Sequence, residues 1–237
     1  MNVILLIAKR FLMPRNMLEG GMINIISFVG LFIGAASIIL SVAVLNGFQG
    51  ILENETKKIY GDYAINTFDY ASDKELIDIF EKNGIHYAPY YEEEFFISKN
   101  KKQSLVNLKS VDSSKFKNFY DLELVSESQD LNHGEIIIGK SLADRMDFSI
   151  GDSISIYSTK LNMSYLAMPS IEQLVIKDIY KNRILRSDEF LVFTVSKDYN
   201  FPDKEFTDIE IIGNIDNMIP LPNEKIVSWK QRNKQLF

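Results

Sequence analysis

The sequence predicts an α+β protein in which one N-terminal transmembrane helix precedes a folded domain. The stretch from Gly20 to Leu52 contains no Asp, Glu, Lys or Arg. After it, short apolar runs with alternating and helical spacing follow one another between turn residues, which is typical of mixed strands and helices. With 16 Phe and 11 Tyr, the chain has the apolar content of a folded domain rather than a disordered one.

The predicted span has a core from Ile23 to Leu45. At about 1.5 Å per residue it is long enough to cross a hydrocarbon layer of about 30 Å. We therefore assign residues 22–46 to a transmembrane helix. The alternative is a cleaved signal peptide, whose apolar region is only about 7–15 residues long and ends at a pair of small residues. We expect no cleavage, because this run is longer and no suitable pair follows it.

Basic residues set the predicted orientation. Those before the span are Lys9, Arg10 and Arg15. Basic flanks are retained in the cytoplasm, so residues 1–21 are predicted to be a cytoplasmic interfacial segment, with a short helix over residues 2–12. Residues 47–227 would then form a periplasmic α+β domain.

One face of the predicted span carries small residues. Gly30 and Gly34 form a G-x-x-x-G pattern, which Ser37 and Ser41 continue at helical spacing. Small residues allow close approach of two helix backbones in lipid. We expect this face to pack on another membrane helix, although glycine is common in membrane helices for other reasons.

Beyond the span, the helix is expected to continue from Asn46 to Tyr60 as a stalk. Gly47 and Gly50 weaken a helix, so we expect a kink or break at Asn46-Gly47. Gly61 is expected to end the helix.

The domain is predicted to alternate strands and helices. Ser72 and Glu75 form a capping box that predicts a helix start, and Asn83-Gly84 predicts its end. Strands are expected at residues 62–68, 85–98, 104–111, 135–139, 150–157, 174–180, 190–194 and 206–212, and helices at 114–120, 140–146 and from 224 onward.

Composition argues against several functional classes. With 26 Lys+Arg and 32 Asp+Glu the net charge is −6, which disfavours nucleic acid as a partner. The absence of cysteine excludes disulfides, thiol catalysis and cysteine-bound zinc. His86 and His133 are expected to be ordinary surface residues, and neighbours among Glu92–Glu94 would point to opposite sides of a strand. No P-loop is present, so we expect no enzymatic activity, cofactor or metal.

Several motifs together resemble a known family. The span closes on L-N-G-F at residues 45–48. The domain contains I-I-I-G-K-S-L-A-D at 136–144 and I-G-D-S-I-S-I at 150–156, and S-W-x-x-x-N-x-x-L-F follows at 228–237. This order resembles the permease subunits of lipoprotein-releasing ABC transporters, the LolC/LolE type, within the wider FtsX/MacB-like permease family.

The resemblance implies a MacB-like periplasmic core domain in the bacterial inner membrane. It also implies a second permease subunit, a separate ATPase subunit, a lipoprotein substrate and a periplasmic lipoprotein carrier. In such permeases the outer domain lies between the first and second spans. Residues 228–237 would then be the start of a helix leading to a missing second span. The sequence would be the N-terminal portion of such a permease, either as a fragment or as the product of a truncated gene, and this portion would not transport on its own.

Two sets of residues would serve this function. The lipoprotein or acyl-chain cavity would use Ile39, Val42, Leu45, Asn46 and Phe48, although plain lipid contact is an equally good interpretation. A protruding loop between two strands would dock the carrier through Asn162, Met163, Tyr165, Leu166, Met168 and Pro169. The alternative for this loop is a flexible hairpin tip that folds back on the sheet.

Two other functions remain open. One is a MacB/FtsX-like permease that transmits motion for efflux or for control of cell-wall hydrolases. The other is a single-span anchored periplasmic binding module with no ATPase. A neighbouring gene for a P-loop ATPase would favour a transporter.

Overall fold

A computed structural model describes most of the chain. The described residues are 21–66, 70–100, 102–126, 129–158, 171–182, 186–195, 208–213 and 226–232, together with Val3, Ile4 and Ile7. The last three are helical and exposed, and the remainder of the predicted interfacial segment lies outside the described residues. The chain divides into two compact units, Met1–Ile51 and Leu52–Phe237. We call the second unit the β-rich domain.

The first described element is one long helix, α1, Gly21–Tyr60. It confirms the predicted helical continuation to Tyr60. The break expected at Asn46-Gly47 is wrong, because the helix is uninterrupted there. Glycine costs a helix only about 1 kcal/mol relative to alanine and keeps its N–H group, so Gly47 and Gly50 break no backbone hydrogen bond.

Gly61 ends α1 as predicted. Its backbone is left-handed, with φ of +64°, and its N–H donates to the Lys57 carbonyl at 2.9 Å. A Cβ atom at this position would lie 2.7 Å from the Ile211 carbonyl oxygen. Glycine is therefore required here both by conformation and by the neighbouring strand.

The β-rich domain contains ten strands and short helices among its described residues. The strands are β1 Tyr63–Asn66, β2 His86–Lys99, β3 Lys102–Val111, β4 Glu123–Leu124, β5 Glu135–Gly139, β6 Ser153–Ser158, β7 Ile171–Lys181, β8 Leu191–Val195, β9 Asp208–Ile212 and β10 Ile226–Ser228. The helices are α2 Tyr70–Lys82, α3 Ser113–Phe119, α4 Lys140–Met146, a 3-10 turn at Arg186–Glu189, and α5 Trp229–Arg232. The α+β fold class is thereby confirmed.

Six of the strands close into a ring. The main path of the sheet runs β10-β1-β9-β2-β3-β8-β5-β7-β4, and β6 pairs with both β2 and β7. The ring is β2-β3-β8-β5-β7-β6, with parallel pairing between β3 and β8 and between β5 and β7. Closure removes the exposed edges of these strands where they pair.

The largest core cluster fills this ring. Each ring strand contributes buried residues to it, and these alternate along β2, β3, β5 and β6, as the two-residue period of a strand requires. Helix α4 adds Leu142, Ala143 and Met146. The strand residues are Phe95, Ile97, Val106, Leu108, Ile136, Ile138, Ile154, Ile156, Leu174, Ile176, Ile179 and Val192.

Two further clusters lie on other faces of the sheet. The second joins Ile59 of α1 to aromatic residues of α3, including Phe116 and Phe119, and to strand residues such as Phe193. The third packs α2 against β1, β2 and β9. Apolar side chains of α3 and of the end of α1 therefore pack on the sheet.

Two predicted helix starts are wrong. Helix α2 has already begun at Tyr70, so Ser72 lies in its first turn and is not its N-cap. The second wrong start is that of the helix expected from Glu224. Residues 226–228 form β10, which pairs antiparallel with β1, and the helix begins only at Trp229. The β-branched residues Ile226 and Val227 favour a strand.

A capping box starts α5 instead. The Gln231 N–H lies 3.3 Å from the Ser228 hydroxyl, and the Ser228 N–H donates to the Gln231 side chain at 3.0 Å.

Candidate functional site

The surface of α1 is the first candidate site. From Met22 to Ile51 every described side chain is exposed. The helix over Asn24–Tyr60 is long and apolar enough to cross a membrane by length and composition. We call residues 22–51 the apolar segment and residues 52–60 the terminal segment of α1.

The small residues share one face of the apolar segment. At about 100° per residue, Gly30, Gly34, Ser37 and Ser41 fall within a narrow arc. A Cβ atom at either glycine would meet no atom within 4 Å. The Ser41 hydroxyl donates to the Ser37 carbonyl at 2.8 Å, which satisfies it within the helix. This face is flat and open, as helix packing would require.

The helix separates the five residues predicted to line an acyl-chain cavity. By the same rotation, Ile39, Val42 and Asn46 fall on the face opposite the small residues. Leu45 and Phe48 turn toward the small-residue face. All five side chains are exposed. They do not form one lining within this helix, and their role stays a prediction.

The predicted docking loop lies outside the described residues, including Asn162, Met163, Tyr165, Leu166, Met168 and Pro169. The strands that flank it are described. β6 and β7 pair antiparallel, with Ser153 opposite Val175 and Tyr157 opposite Ile171. The chain on either side of the loop is therefore an antiparallel pair of strands.

A buried ionic cluster holds the terminal segment of α1. The Lys109 ammonium lies 2.6 Å from Glu210 Oε1, and both side chains are fully buried. Lys109 Nζ also lies 3.3 Å from the Ile59 carbonyl, to which it donates. The Tyr120 hydroxyl donates to Glu210 Oε2 at 2.8 Å. We call these side chains, with Tyr60 and Tyr90, the Lys109 cluster.

Aromatic rings complete the Lys109 cluster. The Lys109 ammonium lies 4.2 Å from the ring centre of Tyr90, 4.9 Å from that of Tyr120 and 5.3 Å from that of Tyr60. A desolvated cation is attracted to the faces of such rings. Burial, followed by the charge of Glu210, raises the pKa of Tyr120 well above its usual value, so this hydroxyl stays protonated and donates.

Sequence reasoning missed the Lys109 cluster. Lys109 and Glu210 are 101 residues apart in the chain, and no local pattern links them. One signal was present, since both charged residues stand inside predicted strands and Glu210 lies between Ile209 and Ile211. Charged residues are almost never fully buried unless they are paired, so each of these residues required a partner.

The acidic residues Glu92 and Glu93 make ordinary hydrogen bonds. The Tyr91 hydroxyl donates to Glu93 at 2.7 Å, and the Asn107 amide donates to Glu92 at 3.3 Å. Across the described parts of the chain, no three His, Asp or Glu side chains are grouped so that they could hold a metal ion.

Comparisons with known proteins give a partial likeness. No protein-family model and no curated protein matches the sequence. The chain is similar to the extracellular domain of a noncanonic ABC-type transporter, YknZ, from Gram-positive bacteria. That likeness has 8% sequence identity and a TM-score of 0.44, over 66% of this chain and 86% of that one.

A second solved structure is similar to about the same degree. It is the periplasmic region of MacB from Actinobacillus actinomycetemcomitans, with 9% sequence identity and a TM-score of 0.45, over 73% of this chain and 91% of that one. Likenesses of this size are partial and assign no family to the chain.

Proposed function

We propose that this chain is a permease subunit of an ABC transporter. Helix α1 would cross the inner membrane of a bacterium, and the β-rich domain would face the periplasm. One observation carries the proposal: the apolar segment of α1 carries no charge, and all of its described side chains are exposed. Soluble proteins rarely leave so large an apolar surface in water, so lipid or neighbouring membrane helices would cover it.

The small-residue face supports packing within a complex. In lipid, helices gain little by burying apolar side chains, and small residues allow their backbones to approach. The open surface at Gly30 and Gly34 suits a second permease subunit. A separate ATPase subunit would supply ATP hydrolysis, since the sequence contains no P-loop.

The finer proposal is lipoprotein release to a periplasmic carrier. It rests on the motifs at residues 45–48, 136–144, 150–156 and 228–237, which resemble those of lipoprotein-releasing permeases. The acyl chains of a substrate would lie against apolar side chains near the end of the apolar segment, at about 0.8 kcal/mol per buried CH₂.

Topology gives the first test. The chain has no cysteine, so single cysteines can be introduced without a background. We expect an impermeant thiol reagent to label Lys102→Cys, at the exposed start of β3, in intact spheroplasts. Asn16→Cys, before the span, should be labelled only after the membrane is permeabilised. Protection of the Lys102→Cys variant in intact spheroplasts would contradict the proposed orientation.

Partner capture separates the candidate functions. The native complex, purified through a tag on this chain, should contain a P-loop ATPase and a second membrane subunit. Reconstituted with ATP and an acylated lipoprotein, it should transfer the lipoprotein to a carrier. An ATPase without lipoprotein transfer would indicate a MacB/FtsX-like permease. Absence of any ATPase would indicate an anchored binding module.

A further inference from the structure

One side of the strand ring carries aligned side chains that point away from the core. It is formed by β3, β2, β6 and β7, which pair antiparallel in that order. Residues that alternate with the core residues of these strands face outward, and the pairings align them in two rows. The first row is Leu105, Phe96, Tyr157 and Ile171, and the second is Gln103, Ser98, Ser155 and Gln173. We call these eight side chains the outer face.

The first row is apolar and partly open to solvent. At its two ends Leu105 is 44% exposed and Ile171 is 64% exposed. Between them Phe96 and Tyr157 are half-buried, and their ring centres lie 5.5 Å apart. Exposed apolar residues that are scattered singly are ordinary, whereas contiguous ones mark contact sites. The outer face is therefore a candidate interaction surface.

The outer face contains no charged residue, although charged residues make up 24% of the chain. On β2, the next outward residue beyond the first row is the exposed Glu94, opposite Asn107, and it lies at the rim. Depletion of charge together with enrichment of aromatic residues is typical of the centre of protein–protein interfaces, which have polar rims. The partner that this face fits is thus an uncharged protein surface.

The order of residues across the outer face favours a second copy of this chain. The first row reads aliphatic, aromatic, aromatic, aliphatic, and the second reads Gln, Ser, Ser, Gln. A two-fold axis parallel to the strands and between β2 and β6 would place Phe96 against Tyr157 of the second copy, and Ser98 against its Ser155. A two-fold interface must be self-complementary in this way.

The polar row is suited to such symmetry. Glutamine and serine side chains both donate and accept hydrogen bonds, so like can pair with like. A charged residue at the same place would meet its own charge. The net charge of the chain is −6, so two copies repel each other elsewhere and can approach most closely at an uncharged surface.

We propose that the outer face is the contact between the β-rich domains of two copies of this chain. Strands lie about 4.8 Å apart, so the four strands span only about 14 Å. A closed ring is also convex, and the contact is therefore smaller than the roughly 800 Å² per partner of a stable interface. Two copies anchored in one membrane would meet at a high effective concentration, so a weak contact suffices. The proposal rests on the membrane anchor of the proposed function but not on transport.

Cross-linking of the full chain in native membranes tests this contact. Two differently tagged copies are expressed together, each with Ser155→Cys as its single cysteine, and treated with a short, membrane-permeable bismaleimide. Facing sheets pack about 10 Å apart, which such a reagent can bridge. We expect a covalent dimer that carries both tags. The control is Val125→Cys, at an exposed position outside the outer face, which should give far less dimer after both yields are normalised to labelling by a monomaleimide.

A charge on the outer face should abolish the contact. In the Ser155→Cys background, Ile171→Glu places like charges in both copies, and the yield of dimer should fall at least about tenfold, because juxtaposed like charges cost several kcal/mol. The matched control, Val125→Glu, should leave the yield unchanged. Since Ile171 is exposed, the Trp229 unfolding transition in urea should match that of the parent chain. If it does not, Gln173→Glu, at an exposed position of the second row, is measured instead.

Three outcomes would overturn the proposal. The Ser155→Cys variant would form no more dimer than the Val125→Cys variant, or the dimer would persist undiminished when the outer face is charged. In the third, the cross-link would join Ser155→Cys to a different protein and not to a second copy. Labelling of Lys102→Cys in intact spheroplasts separates these outcomes from failure of the anchor. If that cysteine is labelled and no dimer forms, only the contact between copies is refuted.

Discussion

The apolar and terminal segments of α1 belong to one helix but have opposite side-chain environments. All described side chains of the apolar segment are exposed, and the segment has no charge. In the terminal segment, buried Leu52, Thr56 and Ile59 alternate with charged residues. Lys57 contacts Glu53 at 2.8 Å and Asp62 at 2.9 Å.

This difference shows what each segment requires from its surroundings. The terminal segment is amphipathic: one apolar stripe faces the protein core, and its charged residues face water. The apolar segment is apolar all round, as expected for a helix surrounded by lipid and other helices. The backbone of α1 is helical throughout, and only the side chains distinguish the segment suited to lipid from the segment that packs on the protein core.

The largest effect is expected when one partner is removed from the buried ion pair that contacts the terminal segment. Lys109→Met leaves the buried Glu210 carboxylate without its ammonium partner, which should cost about 3–5 kcal/mol of unfolding free energy. Urea unfolding of the full chain in detergent measures this loss through Trp229, the only tryptophan, which is buried in the β-rich domain. Lys117→Met, in an exposed ion pair, should cost far less. Equal losses would refute the comparison.

A charge placed in the apolar segment tests the other side. Ile38→Lys should oppose membrane insertion by about 2.5–3.5 kcal/mol, because lysine is disfavoured at the centre of a span. Carbonate extraction of membranes should release more of the variant than of the parent chain. Val125→Lys, at an exposed position of the β-rich domain, is the matched control and should stay in the membrane fraction. Retention of the Ile38→Lys variant would argue against a span.

Glycine substitutions sharpen the comparison at the end of the helix. Gly61→Ala places a side chain in a left-handed conformation, at about 1–2 kcal/mol, and also crowds the Ile211 carbonyl. Gly84→Ala has the same φ of +64° but meets nothing within 4 Å. Urea unfolding should therefore show a clearly larger loss for Gly61→Ala. Equal losses would mean that the contact with β9 is unimportant.

A smaller effect is expected at the open glycines of the apolar segment. A Cβ atom at residue 34 would meet no atom within 4 Å, so we expect Gly34→Leu to leave the Trp229 unfolding transition unchanged. Association with a partner helix should weaken by about 1–3 kcal/mol, the usual cost of overpacking. Co-purification of the second membrane subunit measures this, with Phe32→Leu, an exposed apolar position, as control. Undiminished co-purification would remove the packing role of this face.

The smallest effect concerns a half-buried carboxylate of the β-rich domain, that of Asp152. An ionic hydrogen bond from Lys99, followed by the Ser149 N–H at 2.7 Å, lowers the pKa of Asp152 below its usual value. A lowered pKa adds stability above the usual aspartate range, and this stability is lost as the pH falls through the folded-state value. Lys99→Met should therefore destabilise the domain slightly at neutral pH. Unfolding at acidic pH should show no difference from the parent chain.

Local patterns were sufficient to predict most elements of the fold. Alternation predicted β6, and the left-handed glycines at Gly61 and Gly84 marked two helix ends correctly. Two failures were at element starts, and a third was the break expected at Asn46-Gly47. Ser72 resembles a helix cap, but the helix begins earlier, and Ile226–Ser228 is too short a strand for its pattern to be seen without β1 as partner.

Long-range features could not be predicted in the same way. The closed ring depends on β6 meeting β2, with Phe96 opposite Tyr157, and no local signal specifies such a contact. The Lys109 cluster required burial of two charges, which single-sequence reasoning treats as unfavourable. For the apolar segment, composition predicts exposure to lipid but not the partner that its small residues would meet.

The distance in sequence between Ile59 and its charged partners has a consequence for biosynthesis. Lys109 is made 50 residues after Ile59, and Glu210 a further 101 residues later. At about 5–20 residues per second, the second interval alone lasts about 5–20 s. The proposed membrane segment would thus leave the ribosome well before β9 exists. During this interval the nascent chain would carry an inserted helix whose terminal segment has no folded domain to pack against. A chaperone outside the membrane would be most needed at this stage.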